Sequence, residues 1–211
     1  MNHRKYGRTP VAAWTAAGLL LGGFGIWYAL PSLLLAAMPT TVGHYDEADW
    51  GPGIARRVAA LGPRSVGPTI RFVRRARLGV GTRHASNVLR ELGPPARAAL
   101  TAEIEEAERR AIAAAAGGKA SEEARAREAA AKLMVAYAQA YGDFRHLPRF
   151  LRLTRDAGTP GRTAATHMWS ALRDAYEDVP PLYLHPRAGD GEVNRINPEF
   201  VRWLNERDDA A

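Results

Sequence analysis

The feature that most constrains this chain is a long uncharged stretch near its N-terminus. No residue from Thr9 to Gly43 is charged, and residues 11–38 are almost all apolar or small. A bilayer core of ~30 Å is crossed by ~20 helical residues that rise 1.5 Å each, and residues 11–30 meet that length. A helix packed on a globular core carries polar side chains along one face, which this stretch lacks. The stretch therefore predicts a single N-terminal transmembrane helix.

A cleaved signal peptide is the main alternative for the same stretch. The basic tail at residues 1–10 fits either interpretation. The apolar region is longer than the ~7–15 residues usual in signal peptides, and Leu35 stands where a small residue is expected before a cleavage site. We therefore expect an uncleaved signal-anchor over residues 11–38. Proline removes a backbone donor, so a kink or break is expected at Pro31.

Small residues in the predicted span share one helix face. Their spacing of i, i+4, i+7 and i+11 allows another helix to approach closely, which is how helices associate in lipid. Glycine is also simply common in membrane helices. We expect this helix-packing stripe to contact other membrane protein subunits or a second copy. Its members are Gly18, Gly22, Gly25 and Ala29.

Aromatic residues lie near both ends of the span, where amphipathic rings prefer the headgroup level. Trp14, Trp27 and Tyr28 are therefore expected to be membrane-interface anchors. The basic tail precedes the span and an acidic segment, residues 44–49, follows it. We expect a single-pass protein of the bacterial inner membrane. The charge asymmetry predicts that its N-terminus is inside and its C-terminal domain outside. The basic residues from Arg56 onward favour the opposite orientation.

The excess positive charge is concentrated in one segment. The chain has 29 basic and 22 acidic residues, a net charge of +7, and residues 51–100 hold ten arginines against a single acid, Glu91. Four of these arginines surround Ile70, Val73 and Ala76 on a predicted helix that begins near Pro68. They form a candidate basic docking surface: Arg71, Arg74, Arg75 and Arg77.

Three interpretations of this cationic amphipathic helix compete. It can bind the membrane surface or an acidic protein partner, it can be an ordinary solvated face, or it can bind nucleic acid through phosphates. Nucleic-acid modules usually interleave aromatic residues with the basic ones. Because Phe72 is the one aromatic residue here, nucleic acid is the least favoured partner.

The chain after the anchor is predicted to be all-α, a domain of about five helices. No segment alternates apolar and polar residues over a strand's length. Residues 39–97 form an acidic linker and Arg-rich juxtamembrane helices, residues 98–142 an Ala-rich helical hairpin, and residues 143–211 a C-terminal helical region. Alanine faces bury little area, so the hairpin is expected to need the later aromatic residues or a partner for stability.

Capping and stop signals set the expected helix boundaries. Thr82, Ser121 and Asn197 are predicted N-caps. Gly93 and Gly142 are predicted to end the helices before them, since glycine adopts the left-handed conformation that closes a helix.

No motif in the sequence points to catalysis. The absence of cysteine excludes disulfides and thiolate metal sites, and there is no HExxH, GxSxG or GxGxxG pattern. We therefore expect no enzymatic activity, no cofactor and no metal, and a membrane-anchored interaction or scaffold subunit of a larger membrane assembly. One alternative is an anchored enzyme with a site in the 185–192 loop, at His185, Asp190 and Glu192. Another is a membrane-tethered nucleic-acid binder using the Arg-rich segment.

Overall fold

The computed structural model describes residues 25, 29–36, 47–155, 158–184 and 195–208, and within them the chain is all-α. A 3-10 turn, Gly62–Ser65, joins the second and third helices. The helices are α1 (residues 29–36), α2 (Glu47–Ala60), α3 (Val66–Arg75), α4 (Val80–Leu92), α5 (Pro94–Ala116), α6 (Ala120–Tyr141), α7 (Leu147–Arg155), α8 (Gly158–Ala175) and α9 (Pro198–Asp208).

The predicted all-α class is confirmed, although the region after the anchor holds more than five helices. Eight α-helices run from α2 to α9. One of the additional helices is α7, which at nine residues is too short to show a clear helical period. Over the described ranges, extended chain pairs at a single antiparallel bridge, between Tyr183 and Ile196.

Helix α6 lies at the centre of the core. It packs against α3, α4, α5, α7 and α8, and every residue from 133 to 138 is buried. A helix that is apolar all round needs partners on every side. Later helices supply large side chains to the same core, including Phe150, Met168, Leu172 and Phe200. The C-terminal region therefore covers the alanine-rich hairpin formed by α5 and α6.

Several helix boundaries follow from local signals, as predicted. Gly93 and Gly142 end α4 and α6 with φ values of 69° and 60°, in the left-handed region that glycine adopts without strain. Asn197 caps α9, because its Oδ1 accepts a hydrogen bond from the backbone N–H of Glu199 at 3.0 Å.

Two predicted caps are wrong. Helix α4 begins at Val80 after Gly79, and α6 begins at Ala120 after Lys119. The hydroxyl of Thr82 therefore lies inside the first turn of α4, where it donates to the carbonyl of Arg77 at 3.1 Å. Ser121 likewise lies inside α6, and its Oγ accepts a hydrogen bond from Arg125.

Helix α1 attaches the end of the apolar stretch to the domain. The helix continues through Pro31 to residue 36, so the chain does not break at this proline. Leu35 is 1% exposed and shares a small core with Ile54, Val58 and Val88. Most of the predicted span lies outside the described residues. Among the residues that are described, no helix has both the length and the apolar character needed to cross a bilayer.

Candidate docking surface

The apolar face of α3 packs into the protein core. Ile70 and Val73 are 3% and 0% exposed and belong to the main hydrophobic cluster. This corrects the expectation of a helix that can lay its apolar side on a bilayer, since that side is already covered by α4, α5 and α6. Only the cationic side of α3 is available to a partner.

The four arginines of the docking surface do not share one helix. Helix α3 ends at Arg75, and Ala76 is extended with ψ 152°, so Arg77 lies in the segment between α3 and α4. Arg71, Arg75 and Arg77 are exposed. Arg74 is half-buried and forms an ion pair with Glu103 of α5 at 3.2 Å. The basic residues are therefore spread from α3 toward the hairpin.

The far end of the hairpin is largely uncovered by other helices. Helices of 23 and 22 residues are about 34 Å long at 1.5 Å per residue. We call residues 108–129 the distal hairpin. Only Ala111 and Ala114 are buried within it, and Ile112 is 70% exposed. Most of its surface is consequently accessible to another molecule.

A groove of about 450 Å³ lies along α5 and α6 of the hairpin, and Arg74 of α3 borders it. We call it the hairpin groove. Alanines form its floor and basic side chains form its rim. Arg74, Arg110 and Lys119 on this rim are each held by a carboxylate, namely Glu103, Glu106 and Glu122. The lining residues are Arg74, Ala107, Arg110, Ala113, Ala114, Lys119, Glu122, Arg125, Ala126 and Ala129.

A second cavity lies on the other side of α6 and also receives a predicted docking residue. Its volume is about 530 Å³, and it is bounded by α6, the end of α7, the start of α8 and the segment that carries Arg77. We call it the α6–α8 pocket. Arg125 lines both cavities. The structure thus places Arg74 and Arg77 at two different concave sites, while Arg71 and Arg75 line neither.

A polar cluster at the base of the hairpin was not found by sequence reasoning. Arg97 of α5 donates from Nε to the hydroxyl of Tyr137 at 2.9 Å, and its guanidinium also contacts the carboxylate of Asp143. Burial opposes ionisation of Asp143, but hydrogen bonds from Arg145 and Arg97 outweigh it and lower the pKa of this carboxyl to about 2. The four residues are up to 48 positions apart, and no sequence motif connects them.

His146 lies beside this cluster and is buried. Its ring meets the ring of Tyr137 edge-on at 4.7 Å. Desolvation lowers the pKa of His146, and the nearby cation of Arg149 lowers it further. The folded protein therefore favours the neutral imidazole. Its place in the core, away from both cavities, indicates a packing role.

Many of the residues singled out in the sequence lie outside the described residues. They are Gly18 and Gly22 of the stripe, the anchors Trp14, Trp27 and Tyr28, and the loop residues His185, Asp190 and Glu192. The two stripe residues that are described, Gly25 and Ala29, are helical and exposed. Across the described ranges, no three His, Asp or Glu side chains converge to hold a metal ion.

No known protein family, curated protein or solved structure matches this chain.

Proposed function

We propose that this chain is a non-enzymatic, membrane-anchored interaction subunit of a larger membrane assembly in the bacterial inner membrane. Residues 11–30 are its span, with the N-terminus inside and the helical domain outside. The observation that carries the proposal is the exposed distal hairpin with its alanine-floored, basic-rimmed groove. Concave apolar surfaces with a charged border are typical of protein interfaces.

The chemistry of the hairpin groove suits an acidic helix of a partner protein. Alanine side chains at Ala107, Ala113 and Ala126 let a second helix approach closely. Basic side chains along the rim would face acidic residues on the flanks of that helix, which steers association and selects the partner. The carboxylates already paired with the rim reduce the positive charge without removing it, because Arg125 adds a cation that forms no ion pair within the described ranges.

The packing of α1 supports a connection between the anchor and this surface. The predicted span ends at Leu30, and the chain then contacts the domain through Leu35. A partner helix held against Gly25 and Ala29 in the bilayer would therefore lie near a domain that cannot drift away on a long linker. Two contacts on one chain raise the effective affinity of the second.

Co-purification of partners with the tagged full-length chain in mild detergent tests the proposal. Reversing two rim charges with R110E and K119E should reduce the recovered partner about tenfold. Its matched control, R152E with R202E, changes the same total charge at exposed positions outside the hairpin and its groove and should leave recovery unchanged. If both double variants recover the partner equally, the hairpin groove is not the interface.

A second pair of variants tests the anchor in the same assay. Gly18→Ile with Gly22→Ile places bulky side chains on the predicted stripe and should reduce partner recovery. Ala16→Ile with Gly23→Ile changes the opposite side of the same predicted helix and serves as the control. An unchanged assembly after both stripe substitutions would show that the stripe is not an interface.

A further inference from the structure

The α6–α8 pocket is a half-open cavity with the volume of a small-molecule site. Its volume of about 530 Å³ falls within the ~300–1,000 Å³ typical of ligand pockets. Four separate segments form its walls, so it does not result from a single helix surface. None of these segments belongs to the predicted membrane span.

The pocket is apolar inside and charged at its mouth. Ala131 and Ala164 are buried at its floor, with half-buried Leu78 and Leu153 beside them. The charged side chains are on α6 and on the segment before α4. This arrangement matches a ligand with an apolar body and a charged end.

The charge at the mouth is positive. Two cations on the α6 wall are matched by carboxylates on the same helix. Arg127 contacts Glu123 at 2.5 Å, and Lys132 contacts Glu128 at 2.8 Å.

Arg77 and Arg125 add two further cations, both exposed. Within the residues that the structure describes, neither is in an ion pair, and Arg125 donates one hydrogen bond to Ser121. Two guanidinium groups from different walls can bind one anionic group together.

We propose that the α6–α8 pocket binds a small amphiphilic anion. Its apolar chain occupies the floor beside Leu78 and Ala131, and its carboxylate or phosphate lies between Arg77 and Arg125. Burial of the chain provides affinity, and the two guanidinium groups select an anionic over a cationic head. The pocket is separate from the proposed helix-binding groove apart from Arg125, which lines both cavities.

Calorimetric titration of the full-length chain in phosphatidylcholine nanodiscs tests this site, with empty nanodiscs as the blank. Octyl phosphate and octanoate should bind saturably with one site per chain, and the tighter of the two identifies the preferred head group. Octyltrimethylammonium has the same tail with the opposite charge and should bind at least tenfold more weakly. Equal binding of all three amphiphiles, or no saturable binding of either anion, overturns the proposal.

Matched variants locate the site. Ala124 is exposed and lines the pocket, so Ala124→Leu should obstruct it and weaken binding, while Ala116→Leu, at an exposed position outside the lining, should not. Arg77→Gln should weaken octyl phosphate about tenfold, and Arg109→Gln should have no effect. Circular dichroism confirms that each variant is folded. Unchanged affinity in both pocket variants would place the amphiphile elsewhere and refute the assignment.

Discussion

Arg97 shows how one long side chain connects several elements of this fold. Its guanidinium lies 5.7 Å and 5.4 Å from the ring centroids of Tyr137 and Tyr141 and contacts Asp143 just beyond the end of α6. Tyr141 in turn donates its hydroxyl proton to the carbonyl of Leu89 at 3.1 Å. Burial, together with Tyr137, raises the pKa of Tyr141 to about 12 against the opposing effect of Arg97. The cluster therefore joins α4, α5 and α6 at the base of the hairpin.

The lowered pKa of Asp143 predicts an acid-sensitive contribution to stability. Because its pKa is below that of the unfolded chain, the contribution is complete above about pH 4 and is lost as the pH falls toward 2. Asp143→Asn should lower the free energy of unfolding by about 1 to 2 kcal/mol at pH 7, and less as the pH falls toward 2. Urea unfolding at several pH values measures this.

Asp174→Asn is the matched control. Asp174 pairs with Arg83 at 2.9 Å, but both side chains are well exposed, and such pairs contribute little. A loss of stability equal to that of Asp143→Asn, or a constant difference from the wild type between pH 7 and pH 2, would contradict the assignment.

At the scale of elements, the hairpin divides into a buried half and an exposed half. Near its base, Leu100 and Ile104 of α5 and Leu133 of α6 are fully buried. In the distal hairpin only Ala111 and Ala114, both on α5, are buried. Small residues bury little area, so the distal half contributes little to global stability and is free to serve as a contact surface.

Replacing glycine by alanine is expected to have opposite effects on stability at two positions, Gly93 and Gly53. Gly93 ends α4 at φ 69° and ψ −146°, a region nearly closed to other residues, while Gly53 lies inside α2 with open space around its Cβ position. Gly93→Ala should destabilise the protein by about 1 to 3 kcal/mol. Gly53→Ala should stabilise it by about 0.5 to 1 kcal/mol.

Thermal unfolding of both glycine variants measures the two effects against the wild type. No atom lies within 4 Å of a Cβ at either glycine, so any difference reflects the backbone alone. A melting temperature that shifts in the same direction for both would show that backbone conformation does not decide their effects.

At the scale of the whole molecule, α1 determines how the apolar N-terminal stretch meets the domain. It packs on α2 and α4 through Leu35, with Leu34 partly buried beside it, while Leu33 is 59% exposed. The small core around α1 is continuous with α4, which also packs on α6. Packed side chains therefore join the described end of the N-terminal stretch to the domain.

This packing predicts different outcomes for neighbouring leucines of α1. Leu35→Ala should cost about 2 to 5 kcal/mol, because it leaves a cavity among Ile54, Val58 and Val88. Leu33→Ala removes the same atoms from an exposed position and should change stability by less than about 0.5 kcal/mol. Chemical unfolding of the full-length variants measures both. Equal effects would mean that α1 is not packed on the domain as described.

The sequence predicted those features that depend on a few neighbouring residues. Gly93, Gly142 and Asn197 act within one turn of a helix, so the ends of α4 and α6 and the start of α9 were predictable. Thr82 and Ser121 were misassigned because each helix began one or two residues earlier than its polar signal. The four arginines were identified from the sequence, but not that Arg74 and Arg77 line different cavities while Arg71 and Arg75 line neither.

By itself, the sequence determined the all-α class, the alanine-rich hairpin and the location of the excess positive charge. These follow from residue type and short-range periodicity. Only the tertiary structure decided that Ile70 and Val73 face the core, that α6 is central, and that Arg97 meets Asp143. Such contacts depend on how whole helices pack. Arg97 and Asp143, for example, are 46 positions apart in the chain. A helical period shows which face of a helix is apolar. Which neighbouring element covers that face depends on the packing that buries the apolar surface of the whole chain.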